Sequence, residues 1–218
     1  MSLTLYSHPF SSYCQKVLIA LWENEIPFTN RNLEEPGAAE ERAAVWPLGR
    51  FPVLVDDGRT IAESSIIIEH LDLHHRGAVR MLPDDREAAL EIRFMDRFFD
   101  NYVMTAMQKP VSEALRGPQA TRKQEALAQA RLALDTAYAW LEDRLSGRTW
   151  AAGETFTMAD CAAAPSLFYA DWVHQIGPAF PQLRQYRLRL LARPSFARAV
   201  DEARPYRAYF PLGAPDRD

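Results

Sequence analysis

The sequence predicts an α/β domain followed by an all-α domain, and three observations predict it. Short apolar strands alternate with helical segments through the first third of the chain. Strand signals almost vanish from Arg86 onward. Between the two regimes lies an aperiodic, breaker-carrying stretch, Arg76 to Asp84. The boundaries that follow are 1–77 for the α/β part, 78–85 for a linker and 86–218 for the helical part. A chain of 218 residues with 48% hydrophobic and 25% charged residues suits two small domains, each with a buried core. A net charge of −4 removes any electrostatic case for binding nucleic acid or an anionic membrane surface.

The elements follow in order. Leu3-Thr4-Leu5-Tyr6 reads as a strand, Ser7 to Phe10 as a loop, and Ser11-Ser12-Tyr13-Cys14 as the start of a helix that runs through Leu21. Pro27 to Arg31 is a short second strand with polar alternation. Glu34 to Ala44 is polar and Ala-rich, a loop with a short surface helix. Phe51 to Val55 is a third strand, and Asp56-Asp57-Gly58 marks the turn into a strand at Thr60-Ile61. Ser64 then opens an Ile-rich helix. Beyond the linker, Ile92, Met95, Phe99, Tyr102 and Val103 form one helical stripe, and Leu90, Phe94 and Phe98 a second. A helix apolar on two sides is expected to be covered on two sides, by its own core and by another subunit. Leu127, Leu134, Tyr138, Leu141 and Leu145 define a further helix. Thr157-Met158-Ala159-Asp160 has the spacing of a capping box, with a kink or early end expected at Pro165. Helical segments at Gln182–Leu191 and Ser195–Ala203 close the chain.

No window approaches the roughly 20 apolar residues of a membrane span, and the first residues lack the basic and apolar regions of a secretory signal. Two cysteines, Cys14 and Cys161, are too few for a disulfide framework or a cysteine zinc site, so no metal is expected and a reducing, cytoplasmic compartment is. The densest chemistry lies at the first strand–helix junction. There, two hydroxyls and a thiol occupy a helix start, where free N–H groups and a partial positive charge favour anions. That combination suits the handling of a thiol or thiolate.

Three motifs in this order resemble the cytosolic glutathione transferase family over nearly the whole chain, with zeta-like and related bacterial members matching the serine loop. They are Ser11-Ser12-Tyr13-Cys14-Gln15-Lys16-Val17, Arg50-Phe51-Pro52-Val53-Leu54, and Glu63-Ser64-Ser65 before its Ile-rich helix, with Thr157–Asp160 as a fourth, structural match. The resemblance implies a thioredoxin-like N-terminal domain that binds glutathione and an all-helical domain that supplies the electrophile pocket.

It also implies site roles. A free thiol has a pKa near 8.5, so only about 3% is thiolate at pH 7. A hydroxyl donating to sulfur, backed by the helix dipole, makes thiolate the major form for about 2.7 kcal/mol of stabilisation. Ser11 is the expected donor, with Ser12 and Tyr6 as alternatives and a bare helix cap as the alternative role. Pro52 is expected in the cis form, turning the backbone of Val53 toward the cysteinyl unit of glutathione beside Phe51. Ser64 and Glu63 suit the γ-glutamyl carboxylate and ammonium. Arg50 suits the glycyl carboxylate or is a plain surface residue. Phe10, Tyr102, Met104 and Met107 are the expected electrophile pocket. Asp96 or Asp100 is a candidate for the glutathione amine across a dimer interface, and His8 receives no role.

Ser11 and Cys14 also overlay the Cys-Pro-Tyr-Cys loop of glutaredoxins. Without the first cysteine no dithiol cycle runs, and Cys14 reads as core, as does Cys161. The expected activity is attack of the glutathione thiolate on an apolar electrophile, in a homodimeric detoxifying enzyme. Glutathione-dependent maleylacetoacetate isomerisation and a non-catalytic glutathione-binding scaffold stand as alternatives.

Overall fold

The computed structural model describes residues 2–117 and 120–218. Its first third is β1 (Leu3–Ser7), α1 (Ser12–Glu23), β2 (Thr29–Asn32), α2 (Ala38–Val45), β3 (Val53–Asp56), β4 (Arg59–Ala62) and α3 (Ser64–His74). The sheet has the order β2-β1-β3-β4, with β2 parallel to β1 and the other pairs antiparallel. The parallel pair needs a crossover, and α1 supplies it. Along β1, Leu3, Leu5 and Ser7 point inward and are buried, the period-2 pattern of a strand covered on one face. The β3–β4 hairpin turns on Asp57 and Gly58, at φ of 44° and 85°. Two successive left-handed residues give the turn whose twist matches antiparallel strands. Two predicted strands move by two residues: the second starts at Thr29, and the third at Val53. Phe51 and Pro52 stand before the strand, joined by a cis peptide as the motif predicts.

The helical part is α4 (Arg86–Phe98), a π-helical turn (Phe99–Met104), α5 (Thr105–Leu115), α6 (Ala120–Arg144), α7 (Met158–Val173), α8 (Pro181–Leu191), α9 (Pro194–Ala203) and a 3₁₀ turn (Arg204–Tyr209). Residues at the α4–π and π–α5 junctions keep right-handed helical dihedrals, so α4 to α5 is one continuous rod. Helix α7 is the pillar of the core: every residue from Met158 to Val173 is buried, against α1, α4 and the π turn. Its start is the predicted capping box. The Thr157 N–H donates to Asp160 Oδ2 at 2.9 Å, and the buried Asp160 carboxylate also accepts from Tyr186 Oη at 2.6 Å and Ala151 N at 2.8 Å. The early end expected at Pro165 does not occur, and α7 runs on to Val173. A proline inside a helix, through the lost hydrogen bond and the ring's clash with the preceding turn, costs about 3 kcal/mol, and burial of 16 consecutive residues outweighs it. Among the described residues no helix is long and apolar enough to cross a membrane.

A buried charged cluster ties the two parts together. Lys16 on α1, fully enclosed, places Nζ 2.6 Å from Asp96 Oδ1 and 2.9 Å from Asp100 Oδ2. Its third donor reaches Ser65 Oγ on α3 at 2.8 Å, and that hydroxyl donates to Asp96 Oδ2 at 2.7 Å. Arg97 closes the network onto both carboxylates, at 2.7 and 2.6 Å. Two cations face two anions, so the buried charge is balanced.

Candidate functional site

Three backbone features converge on one cleft of about 780 Å³, lined by residues of the α1 start, the 46–52 loop, the α3 start and the α4–α5 rod. Ser11 is the N-cap of α1, in an extended conformation (φ −87°, ψ 120°). Its Oγ accepts the Cys14 N–H at 3.4 Å, a long contact that leaves its own O–H to donate elsewhere. Pro52 and the rim residues Arg50 and Phe51 form the opposite wall. Glu63 and Ser64 open α3, and Glu63 holds φ at 70°, a left-handed value that a side chain adopts at a cost. Ser11, Arg50, Phe51, Pro52, Glu63 and Ser64 therefore share one cleft. Val53 does not line it. Fully buried, it pairs with Tyr6 on one side and Ala62 on the other, so the last backbone facing the cleft belongs to Phe51 and Pro52.

A second, more apolar pocket of about 440 Å³ adjoins the cleft, walled by Phe10, Met107, Val111, Leu115, Tyr169 and Phe210 among others. Phe10 and Met107 line this pocket. Tyr102 and Met104 do not line it: Tyr102 is 59% exposed with its ring tilted 5.1 Å from that of Phe98, while Met104 is buried in the core. The two positions are two residues apart and face nearly opposite sides of the rod, so one wall cannot hold both. Four residues line both cavities: Ser11, Tyr13, Phe51 and Gln108. A group bound in either cavity meets the other at Ser11.

Sequence reasoning gave Tyr13 no role in the cleft, and Asp96 or Asp100 only a role across a dimer interface. Tyr13 lies two residues after Ser11, and burial, with Asp100 nearby, pushes its hydroxyl up to about 12, so it stays a neutral donor. Asp100 lines the cleft from its own chain, next to Arg97 and Asn101, and burial raises its carboxyl pKa despite Lys16. Asp96 sits behind it, away from the cleft. Polar residues within an amphipathic stretch were the available signal, and only the fold says which of them turn inward.

The other candidates have structural roles. Cys14 is fully buried, and desolvation pushes its thiol up to about 12; Cys161 is buried likewise and raised by burial. Neither is a thiolate at neutral pH. His8 accepts the Phe10 N–H at Nδ1 (3.1 Å), which places its proton on Nε2, 3.0 Å from Glu34. It braces the loop that carries Phe10.

Comparison with known proteins agrees with this architecture. The model of the glutathione S-transferase N-terminal domain matches residues 5–78, and that of the C-terminal domain matches residues 94–194. FtsZ-localized protein A of Caulobacter vibrioides is 28% identical over 201 residues, covering 88% of each chain. A probable maleylacetoacetate isomerase of Vibrio cholerae is 24% identical over 212 residues, covering 94% of this chain and 98% of the other. Among solved structures, a glutathione S-transferase of Methylobacillus flagellatus with glutathione bound superposes with a TM-score of 0.76 at 25% identity, covering 91% of this chain and 98% of that one. A thioredoxin-like sheet domain, an all-helical partner and both matched domain models lead to one conclusion: the chain belongs to the glutathione S-transferase family.

Proposed function

We propose that this chain is a glutathione transferase whose Ser11 hydroxyl stabilises the glutathione thiolate for attack on an apolar electrophile. The observation that carries the reading is the position of Ser11 on the shared wall of a polar cleft and an apolar pocket. Glutathione lies in the cleft, with its γ-glutamyl carboxylate at the Ser64 end of α3, its ammonium at Glu63 and its glycyl carboxylate toward Arg50. The backbone beside cis-Pro52, on the Phe51 side, pairs with the cysteinyl unit. Sulfur then sits at the N-cap of α1, where the Ser11 O–H donates to it and the helix dipole favours negative charge. The electrophile occupies the pocket of Phe10 and Met107, and holding both reactants removes most of the entropic barrier to their meeting. Serine is a donor here, not a base.

The chain divides in this reading into a glutathione domain (1–77), a linker (78–85) and an electrophile domain (86–218), and works in the cytoplasm as a detoxifying homodimer. Exposed Leu90, Phe94 and Tyr102 on the α4 rod form the apolar face for the second subunit. A second reading, a glutathione-binding scaffold without turnover, draws on the likeness to a protein named for its localisation with FtsZ.

A pH titration of bound glutathione, following thiolate absorbance in wild type and Ser11→Ala, separates the readings. A depressed thiol pKa that returns toward the free value in the variant supports the transferase. Tight binding with an unshifted thiol supports the scaffold, and absence of binding refutes both.

A further inference from the structure

Far from the cleft, three side chains meet where α3 ends and β3 ends. Asp56 is the last residue of β3, His70 lies in α3, and His75 is the residue that caps α3 at its C-terminus. His70 Nε2 stands 2.8 Å from Asp56 Oδ2, and His75 Nε2 stands 2.7 Å from the same oxygen. The three potential ligand atoms all lie within 4.8 Å of one another. The side chains are only 8%, 15% and 14% exposed for His70, His75 and Asp56, so this is an enclosed group rather than a surface encounter.

The backbone is arranged to make this meeting. Two residues five positions apart on an uninterrupted helix point about 140° away from each other. His75 escapes that constraint by leaving the helix, at φ −130° and ψ 48°, which swings its ring back beside that of His70. None of the three lines the cleft or the apolar pocket. His70 does line a separate surface hollow of about 440 Å³, which gives a small ion a way in.

We propose that Asp56, His70 and His75 form a divalent transition-metal site of the Zn²⁺ type, a use of this corner that the transferase chemistry does not require. Two imidazoles and one carboxylate are a borderline-soft donor set, which selects Zn²⁺ and its neighbours over Mg²⁺ or Ca²⁺. Tetrahedral zinc at its usual bond lengths separates its ligand atoms by about 3.3 Å, so the two Asp56–histidine distances open by about half an ångström to seat the ion. A water completes the fourth position. The bound ion ties the C-terminal end of α3 to the end of β3. Both elements reach the glutathione cleft at their other ends, through Ser64 and the Pro52–Val53 junction, so the role is structural and independent of Ser11.

The test uses the full chain without an affinity tag, stripped with chelator and titrated calorimetrically with Zn²⁺ alone. Wild type is expected to take up one Zn²⁺ per chain and to melt at a higher temperature when loaded. His75→Gln and His70→Asn, which keep a hydrogen-bond donor toward Asp56, are expected to lose affinity by about tenfold or more. His74→Ala, whose ring packs 4.5 Å from His70, is expected to bind as wild type does. Absence of saturable uptake by wild type, or uptake undiminished in both ligand variants, overturns the site and leaves a hydrogen-bonded clamp.

Discussion

The two cavities that meet at Ser11 are built in opposite ways. The polar cleft is fixed by backbone: an N-cap, a cis peptide bond and a left-handed Glu63, each belonging to a short motif. The apolar pocket is assembled from side chains of the first loop, α5, α7 and the C-terminal segment, which lie up to about 200 positions apart in a chain of 218. A cleft held by local backbone geometry recognises one peptide in one pose. A pocket made of distant apolar side chains is tuned by substitution at many places. On the proposed function, the difference predicts fixed chemistry at sulfur and adjustable choice of electrophile.

The largest expected effect tests what stands behind the cleft. Lys16→Met leaves Asp96 and Asp100 enclosed without their ammonium, and breaking a buried pair this way costs about 3–5 kcal/mol. Urea denaturation checks this, and wild-type stability in the variant would mean the cluster does not brace the cleft. Next comes the site itself. Ser11→Ala is expected to lower kcat about 100-fold, equivalent to about 2.7 kcal/mol, with glutathione Kd changed by less than about threefold. Equal loss in Ser12→Ala, with Ser11→Ala unaffected, would move the donor by one residue. Glu63→Ala is expected to do the converse, weakening glutathione about tenfold, or about 1.4 kcal/mol, with kcat nearly kept.

The pocket should respond on another axis. Met107→Ala is expected to raise KM for an apolar electrophile about fivefold, about 1 kcal/mol of lost contact, without touching glutathione affinity. Tyr102→Ala, at a residue that lines neither cavity, is expected to leave both unchanged; a comparable KM effect there would erase the distinction. The smallest effect lies in the thiols. Cys14 and Cys161 should resist alkylation at pH 8 until urea unfolds the chain, as mass spectrometry reads directly. The Cys14 thiol pKa is raised by folding, so its contribution is whole below about pH 9 and is lost as pH climbs toward about 12. Cys14→Ala is therefore expected to lose less stability than wild type between those values.

The same contrast explains what could be read in advance. Ser11, Pro52, Glu63 and Ser64 announce themselves because caps, turns and strand starts demand particular residues within a few positions. Strand and helix order, and the capping box at Thr157, were legible for the same reason. Tyr102 and Met104 were grouped with the pocket by residue type, which does not say which side of the rod a position faces. The early end at Pro165, one of the two expected outcomes, does not follow because the packing around α7 outweighs one lost hydrogen bond. Arg97 was hidden because its importance comes from Ser65 and the carboxylates it joins, and Asp100 was named only for a contact across a dimer interface. The Asp56–His70–His75 group escaped notice because cysteine number was the only guide to metals.

The six-residue π turn at Phe99–Met104 carries a consequence for inheritance. Such a turn is one residue longer than the α-helical path it replaces, as a single-codon insertion would leave it. Deleting one codon there would return the stretch to regular pitch, and because the π turn already absorbs the extra residue, the rod beyond it would keep its facing. Met107 and Gln108 would stay on the cavity walls, and only residues within the turn, Asp100 and Asn101 among them, would change the direction they face. One three-base event would thus rework the helical wall of the polar cleft while leaving that of the apolar pocket in place.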